Sequence, residues 1–407
     1  MHRAVVDVEA FRVEVVHDPN GGNHVDGLTL IGSGWHPALF RSEAEALVGP
    51  IVPIHSRIVV TRSLDNNAFN RLSNSALIDE VIDNAQSLEN MDSNILCEQI
   101  AKWSRNHLPD GTFAIRVRTL GSEITGFSRT SIAGDTGSLI ANNEHPVDLE
   151  NPEHEIVVIL AGLDDPPNHP DPLGDFGPTI VWGLRNKCWN RVDYSGRQPT
   201  DRPFFKPVSL EPRLARLLIS LSHRSDFSPT TLVDPFCGTG GIAIEGLISG
   251  LNVLASDLDQ EMVDGTNSNL SWAVEKFTDG KYKEWDVQNS SVGMTPDVWG
   301  KINGALFAFD PPYGRNAWKN DDGLQLLLQA FSAARSIDDK GALCTILPTD
   351  PSIFETDQII SDPLVMGQKL STITDQMIER GWKPVLTSPV KVHRSLARLL
   401  IVCHPSH

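Results

Sequence analysis

Thr231-Leu232-Val233-Asp234-Pro235-Phe236-Cys237-Gly238-Thr239-Gly240-Gly241-Ile242-Ala243 reads as a short buried strand, a glycine turn and the start of a helix. Gly238 and Gly240 give the turn the backbone freedom that side chains deny, and Gly250 can stop the helix at Ser249. A second strand over 252–256 ends at Asp257, nineteen residues after Gly238. Strand, glycine turn, helix, strand and acidic residue in this order form the nucleotide-binding half of a doubly wound parallel sheet. Working upstream, Ser209 can cap a helix whose Leu214, Leu217, Leu218 and Leu221 form one apolar stripe. Downstream, the alternation continues with a helix over 261–277, strands ending at Asp286 and Asp310, a helix near 323–336, a strand over 342–347 and a helix closing at Gly381. Strands over 385–392 and 396–402, separated by His393-Arg394-Ser395, predict an antiparallel closing hairpin. The expectation is an α/β, Rossmann-like domain over 206–407.

The apolar run Ala305-Leu306-Phe307-Ala308-Phe309 stops at Asp310-Pro311-Pro312-Tyr313-Gly314. Two prolines supply no amide hydrogens, so this turn offers backbone carbonyls, one carboxylate and an aromatic ring. Such an acceptor-rich surface beside a stacking platform suits a flat ring bearing an exocyclic amine. Asp310, Pro311, Pro312 and Tyr313 are the expected catalytic group.

Gly238-x-Gly240-x-x-Ala243 alone serves a dinucleotide as well as any other nucleoside cofactor. The acidic strand ends narrow the choice. Asp257 can take ribose hydroxyls, Asp286 an adenine amine, and Asp234 a cationic amino group, a set that suits S-adenosylmethionine and serves a pyrophosphate poorly. The expected cofactor-binding residues are Asp234, Phe236, Gly238, Thr239, Gly240, Asp257 and Asp286.

With 407 residues and 40% hydrophobic content, the chain has room for two or three domains. Its five cysteines are odd in number and never form a Cys-x-x-Cys pair, so neither a disulfide framework nor a metal site is expected. A reduced, cytoplasmic setting follows, since the amino terminus lacks signal-peptide character and no run is long enough to span a bilayer. The net charge of -18 argues against a nucleic acid partner on average. Residues 186–205 nonetheless carry four basic and two acidic groups, so a local basic groove is compatible with the acidic whole. Within 161–207, Arg185, Lys187, Trp189 and Arg191 can either hold an RNA backbone and stack a base or pack the segment onto its neighbours.

Residues 1–64 read as a small α+β, ferredoxin-like unit, and 65–163 as a second unit. In the latter, Asp92 or Ser93 can cap a helix, Phe113-Ala114-Ile115-Arg116-Val117-Arg118 alternates as a strand, and 156–160 supplies another. Arg116 and Arg118 are equally compatible with a solvated face and with RNA contact. Eight prolines over 161–207 mark 164–205 as a linker, and Asp165-Pro166-Pro167-Asn168 within it lacks the aromatic and glycine partners of the later proline pair. Together with Val147-Asp148-Leu149-Glu150-Asn151-Pro152, the order of these pieces resembles a THUMP domain, a module that in RNA-modifying enzymes recognises the acceptor end of tRNA.

The carboxy-terminal pattern resembles the amino-group methyltransferases of nucleic acids, and more closely the archaeal and eukaryotic tRNA guanine-10 N2-methyltransferase family. The residues that carry the likeness are Arg202-Pro203-Phe204-Phe205-Lys206-Pro207, Asp234 to Gly241, Ser256-Asp257-Leu258-Asp259, Asp310 to Gly314 and His393-Arg394-Ser395-Leu396-Ala397-Arg398. The resemblance implies S-adenosyl-L-methionine as cofactor, tRNA as partner, and N2-methylguanosine or N2,N2-dimethylguanosine as product. The proline turn itself does not separate tRNA from an rRNA guanine or a DNA amino-methyltransferase, and the glycine turn also admits an NAD-dependent oxidoreductase, for which no proton-relay group is evident.

Overall fold

The computed structural model describes residues 16–17, 23–24, 27–61, 67–88, 92–163, 176–207, 209–224, 226–278, 283–312, 322–354, 362–393 and 396–406. They divide into two compact units, one drawn from residues up to 191 without 74–76, the other from 74–76 and from 192 onward.

The first unit contains β1 (Val16–His17), β2 (Asn23–His24), β3 (Leu28–Gly32), α1 (Pro37–Val48), β4 (Val52–His55), β5 (Ile58–Thr61), α2 (Ala68–Leu72), β6 (Ile78–Leu88), α3 (Ser93–His107), β7 (Phe113–Leu120), α4 (Arg129–Ile140), β8 (His154–Ala161) and β9 (Thr179–Arg185). A single sheet runs β4-β5-β3-β6-β9-β8-β7, with β2 also on β6 and β1 on β2. Every pairing is antiparallel except β7 with β8. The segments expected as two separate units, 1–64 and 65–163, therefore share one sheet among the described residues. The stretch expected as a linker contributes β9, a central strand. Its prolines fall on either side of 179–185, and that proline-free window alternates Ile180, Trp182 and Leu184 toward the core of α3 and α4. The loop at 165–168 lies outside the described residues.

One face of this sheet carries a charge ladder. Arg116 Nε donates to Glu155 at 2.6 Å, Arg185 joins Glu155 to Glu80 with 2.8 Å bonds to the latter, and Arg118 reaches Glu80 at 3.3 Å. Three guanidiniums share two carboxylates. In the basic stretch that follows, Trp189 is buried with its indole N–H on the Leu72 carbonyl at 3.1 Å, whereas Lys187 and Arg191 are exposed, Arg191 pairing with Asp79 at 2.9 Å.

The second unit contains α5 (Pro212–Ser220), β10 (Thr231–Asp234), α6 (Gly241–Ile248), β11 (Asn252–Asp257), α7 (Gln260–Phe277), β12 (Trp285–Asn289), α8 (Thr295–Trp299), β13 (Ala305–Phe309), α9 (Asp322–Ile337), β14 (Ala342–Thr349), β15 (Leu364–Val365), β16 (Gln368–Lys369), α10 (Leu370–Glu379), β17 (Trp382–His393) and β18 (Leu396–Pro405). Strands β12, β11, β10, β13 and β14 lie side by side in that order, all parallel. On the far side of β14, β18 and then β17 run antiparallel, as the hairpin pattern predicts. Buried Phe307, Phe309, Phe331, Leu343, Ile401 and Trp382 form the core on one side, where the Trp382 indole donates to the Phe331 carbonyl at 2.9 Å. The fold is the doubly wound α/β sheet expected. The start of α5 differs: Glu211 is its N-cap and Pro212 its first residue, because proline lacks the N–H that a first turn leaves unused. Ser209 instead donates to the Lys206 carbonyl at 2.7 Å and meets the Thr239 hydroxyl at 2.9 Å.

Candidate active site

Chain order places β10 beside β13, so the sheet reverses its winding direction between them and opens a crevice at their carboxyl ends. Asp234 ends β10, and Asp310 directly follows β13. In register Val233 faces Phe307, which brings both carboxylates to the same edge.

The glycine turn is held from three sides. Gly238 and Gly240 have φ of 51° and 76°, in the left-handed region. The Gly238 amide donates to Asp257 Oδ2 at 3.0 Å, the Cys237 amide to the Ser256 carbonyl at 2.9 Å, and the Thr266 hydroxyl to the Gly238 carbonyl at 2.9 Å. Asn269 of α7 binds the Thr239 carbonyl at 2.8 Å and clasps Phe204 through both its amide, at 3.0 Å, and its carbonyl, at 2.7 Å. A side-chain carbon at Gly265 would sit 2.1 Å from the Phe204 ring, so the absence of one lets the segment around Phe204 lie against α7. Thr266 and Asn269 escape the motif reading. The signal that marks them is a polar pair one helical turn apart, both fully buried, on the inward face of an amphipathic helix.

Asp234 is buried, with 1% of its surface exposed, and accepts from the Phe236 amide at 3.1 Å. Burial pushes its carboxyl up to about 8, the neighbouring charges of Asp257 and Asp310 add to the rise, and the Phe236 amide opposes it. Asp257 keeps both oxygens engaged, one with Gly238 and one with the Asp259 amide at 3.0 Å, leaving further lone pairs on each. At the end of β13 the Thr345 hydroxyl donates to the Phe309 carbonyl at 3.0 Å, and the Phe309 ring meets Phe236 edge-on at 5.6 Å. Asp310 is ion-paired with Arg398 of β18 at 2.5 Å, Pro311 is buried and Pro312 exposed. Tyr313 lies outside the described residues.

The structure thus gathers Asp234, Phe236, Gly238, Thr239, Gly240, Asp257, Asp310 and Pro311 at the carboxyl ends of the adjacent strands β11, β10 and β13. Asp286 lies one strand further along the sheet, on β12. It pairs in register with Leu254, inside β12 rather than at its end, and its carboxylate accepts from the Trp299 indole at 3.1 Å and the Gln288 amide at 2.5 Å. Asn289 is the residue level with Asp257, whose carbonyl its side chain holds at 3.2 Å. The strand runs three residues past the aspartate because Val287 is buried while Gln288 and Asn289 have polar side chains that remain exposed on the sheet edge.

Three carboxylates at one edge disfavour a phosphate-rich ligand and favour a cation. In front of the turn, a side-chain carbon at Gly238 would meet nothing closer than the Phe236 carbonyl at 4.0 Å, so the backbone there is open to a ligand. These residues fit an adenosine carrying a sulfonium and an ammonium group. Among the described residues no cluster suited to a metal ion occurs, and no helix is long and apolar enough to cross a membrane.

Comparison with known proteins bears on the same segment. The family described as RMKL-like, methyltransferase domain matches residues 199–358, which span the Phe204 segment, the glycine turn and the proline turn. Residues 199–358 are a methyltransferase domain. A tRNA (guanine(10)-N2)-dimethyltransferase of Methanothermobacter thermautotrophicus is 27% identical over 294 residues, covering 72% of each chain. One of Pyrococcus abyssi is 28% identical over 171 residues, covering 42% of this chain and 48% of that protein. A tRNA (guanine(10)-N(2))-methyltransferase of Gallus gallus is 26% identical over 286 residues, covering 64% of this chain and 57% of its own length.

The methyltransferase domain uses S-adenosylmethionine, which supplies a methyl group activated by its sulfonium. Asp257 and the Gly238 backbone would hold its nucleoside, with Asp234 facing its positive charge. Arg398 lies beyond the segment that the methyltransferase family matches.

Proposed function

We propose that the chain is a tRNA (guanine-N2-)-methyltransferase acting at position 10, with Asp310 and Pro311 binding the amine that is methylated. The observation that carries this reading is the placement of the Asp310 carboxylate at the end of β13, across the winding reversal from the glycine turn. The names of the archaeal and vertebrate relatives support guanine 10 of tRNA as the target.

The chemistry follows from what these residues can accept. A guanine amine is a poor nucleophile, because its lone pair is delocalised into the ring. Its two hydrogens meet the Asp310 carboxylate and the Pro311 carbonyl, which orient the lone pair and stabilise positive charge as it develops on nitrogen. Asp310 then accepts the proton that the methylated nitrogen sheds. A paired guanine hides its amine, so the base must leave the stack, and Tyr313 is the ring on which it would lie. The THUMP likeness supports RNA binding by the first unit, where Arg116, Arg118 and Arg185 are themselves paired with Glu155 and Glu80.

Labelled S-adenosylmethionine, offered with tRNA, rRNA and DNA in parallel, tests the proposal. Label is expected in tRNA as N2-methylated guanosine, and a transcript with adenosine at position 10 should take up none. Label in DNA or rRNA alone would overturn the tRNA assignment.

A further inference from the structure

We propose that Arg398 is the positioning residue for Asp310, holding the carboxylate ready for the amine; this rests on the reading of Asp310 given above. Arg398 Nη1 lies 2.5 Å and 2.6 Å from the two Asp310 oxygens. One nitrogen touches both oxygens, a charge-assisted contact that holds the carboxylate in place.

The sheet sets where this guanidinium stands. Arg398 pairs in register with Pro348 on β14 and Val390 on β17, so its backbone is fixed from both sides. Phe309 pairs with Thr345 on the opposite edge of β14. The side chain therefore reaches across a whole strand to meet Asp310, and the pair is largely shielded, with side-chain exposures of 10% and 16%. Asp257 and Asp310 both lie near enough to Asp234 to help raise its carboxyl, so this edge is acidic. Arg398 supplies the countercharge that the Asp310 carboxylate needs in a shielded site.

Full-length Arg398→Ala, Arg398→Lys and Asp310→Asn proteins, assayed on whichever nucleic acid the wild type labels, provide the test. In Arg398→Ala, kcat should fall about 100-fold, as misplacing a reacting group does. Its KM for nucleic acid and its calorimetric Kd for S-adenosylmethionine should stay at wild-type values. Arg398→Lys should recover part of the loss, and added methylguanidinium should restore turnover to Arg398→Ala but not to Asp310→Asn. A wild-type kcat in Arg398→Ala overturns the inference. So does a loss that neither lysine nor methylguanidinium relieves, which would mark Arg398 as a part of the fold alone. A wild type that labels DNA instead of tRNA would overturn the substrate assignment and leave this comparison intact.

Discussion

The Gly238 amide donates to Asp257 Oδ2 at 3.0 Å, so the glycine turn after β10 and the acidic end of β11 are one hydrogen-bonded unit. Removing the carboxylate frees the turn as well as deleting the proposed ribose acceptor. Hydrogen bonds to charged groups contribute about 1.5–3 kcal/mol, so Asp257→Ala should weaken S-adenosylmethionine binding by roughly 10- to 100-fold. Calorimetry decides it, and an unchanged Kd would remove Asp257 from the cofactor site.

Asp234 couples stability to pH. Its carboxyl is raised from 3.8 in the ordinary state to about 8 in the fold, so between those values the folded chain keeps a proton that the unfolded chain releases. Stability from this group is therefore greatest at low pH and declines as pH climbs through the window. Asp234→Asn cannot lose that proton. Its melting temperature relative to wild type should rise from pH 5 to pH 8, and a constant difference would contradict the assignment. Cofactor binding near pH 7 should also release protons from Asp234, measurable as a binding enthalpy that varies with the buffer.

On the proposed reading, Asp310 acts in turnover rather than in holding the cofactor. Asp310→Ala should lower kcat by 100-fold or more, on the order of what general acid–base groups contribute, with S-adenosylmethionine affinity little changed. Single-turnover methyl transfer read beside equilibrium dialysis separates the two effects. Near-normal transfer would end the role proposed for this carboxylate.

Glu245 is an anchor of the methyltransferase domain. Fully buried on α6, it accepts Arg216 Nε at 2.9 Å and Arg197 Nη1 at 3.3 Å, and both arginines are themselves buried. Glu245→Ala leaves two interior guanidiniums facing each other without their shared carboxylate. Breaking a buried pair in this way costs roughly 3–5 kcal/mol. Chemical denaturation should show a loss of that order, and a loss under 1 kcal/mol would mean that water already screens the cluster.

The parallel core of the second unit is legible because its punctuation is local: each of Asp234, Asp257 and Asp310 sits at or just past the end of an apolar run, and Gly238 and Gly240 declare their own turn. The surroundings of Asp286 are less legible, because a strand edge can continue through polar residues and nothing nearby in sequence says that Trp299 will donate to its carboxylate. The sharing of one sheet by the described strands up to residue 185 is hidden for a different reason. Strand pairing between β6 and β9 joins residues about a hundred positions apart, and local propensity carries no information on such partners. Arg398 is hidden in the same way: its neighbours in sequence form a hairpin, while its partner in space is Asp310.

The position of β18 has a consequence for synthesis. A ribosome makes Asp310 well before it makes the arginine that matches it, and the matching waits until the returning strand slots between β14 and β17. A nascent or clipped chain ending ahead of residue 396 has its glycine bend complete and its acidic rim unbalanced. Competence therefore arrives with the hairpin, which seals the sheet and supplies the missing countercharge in one event.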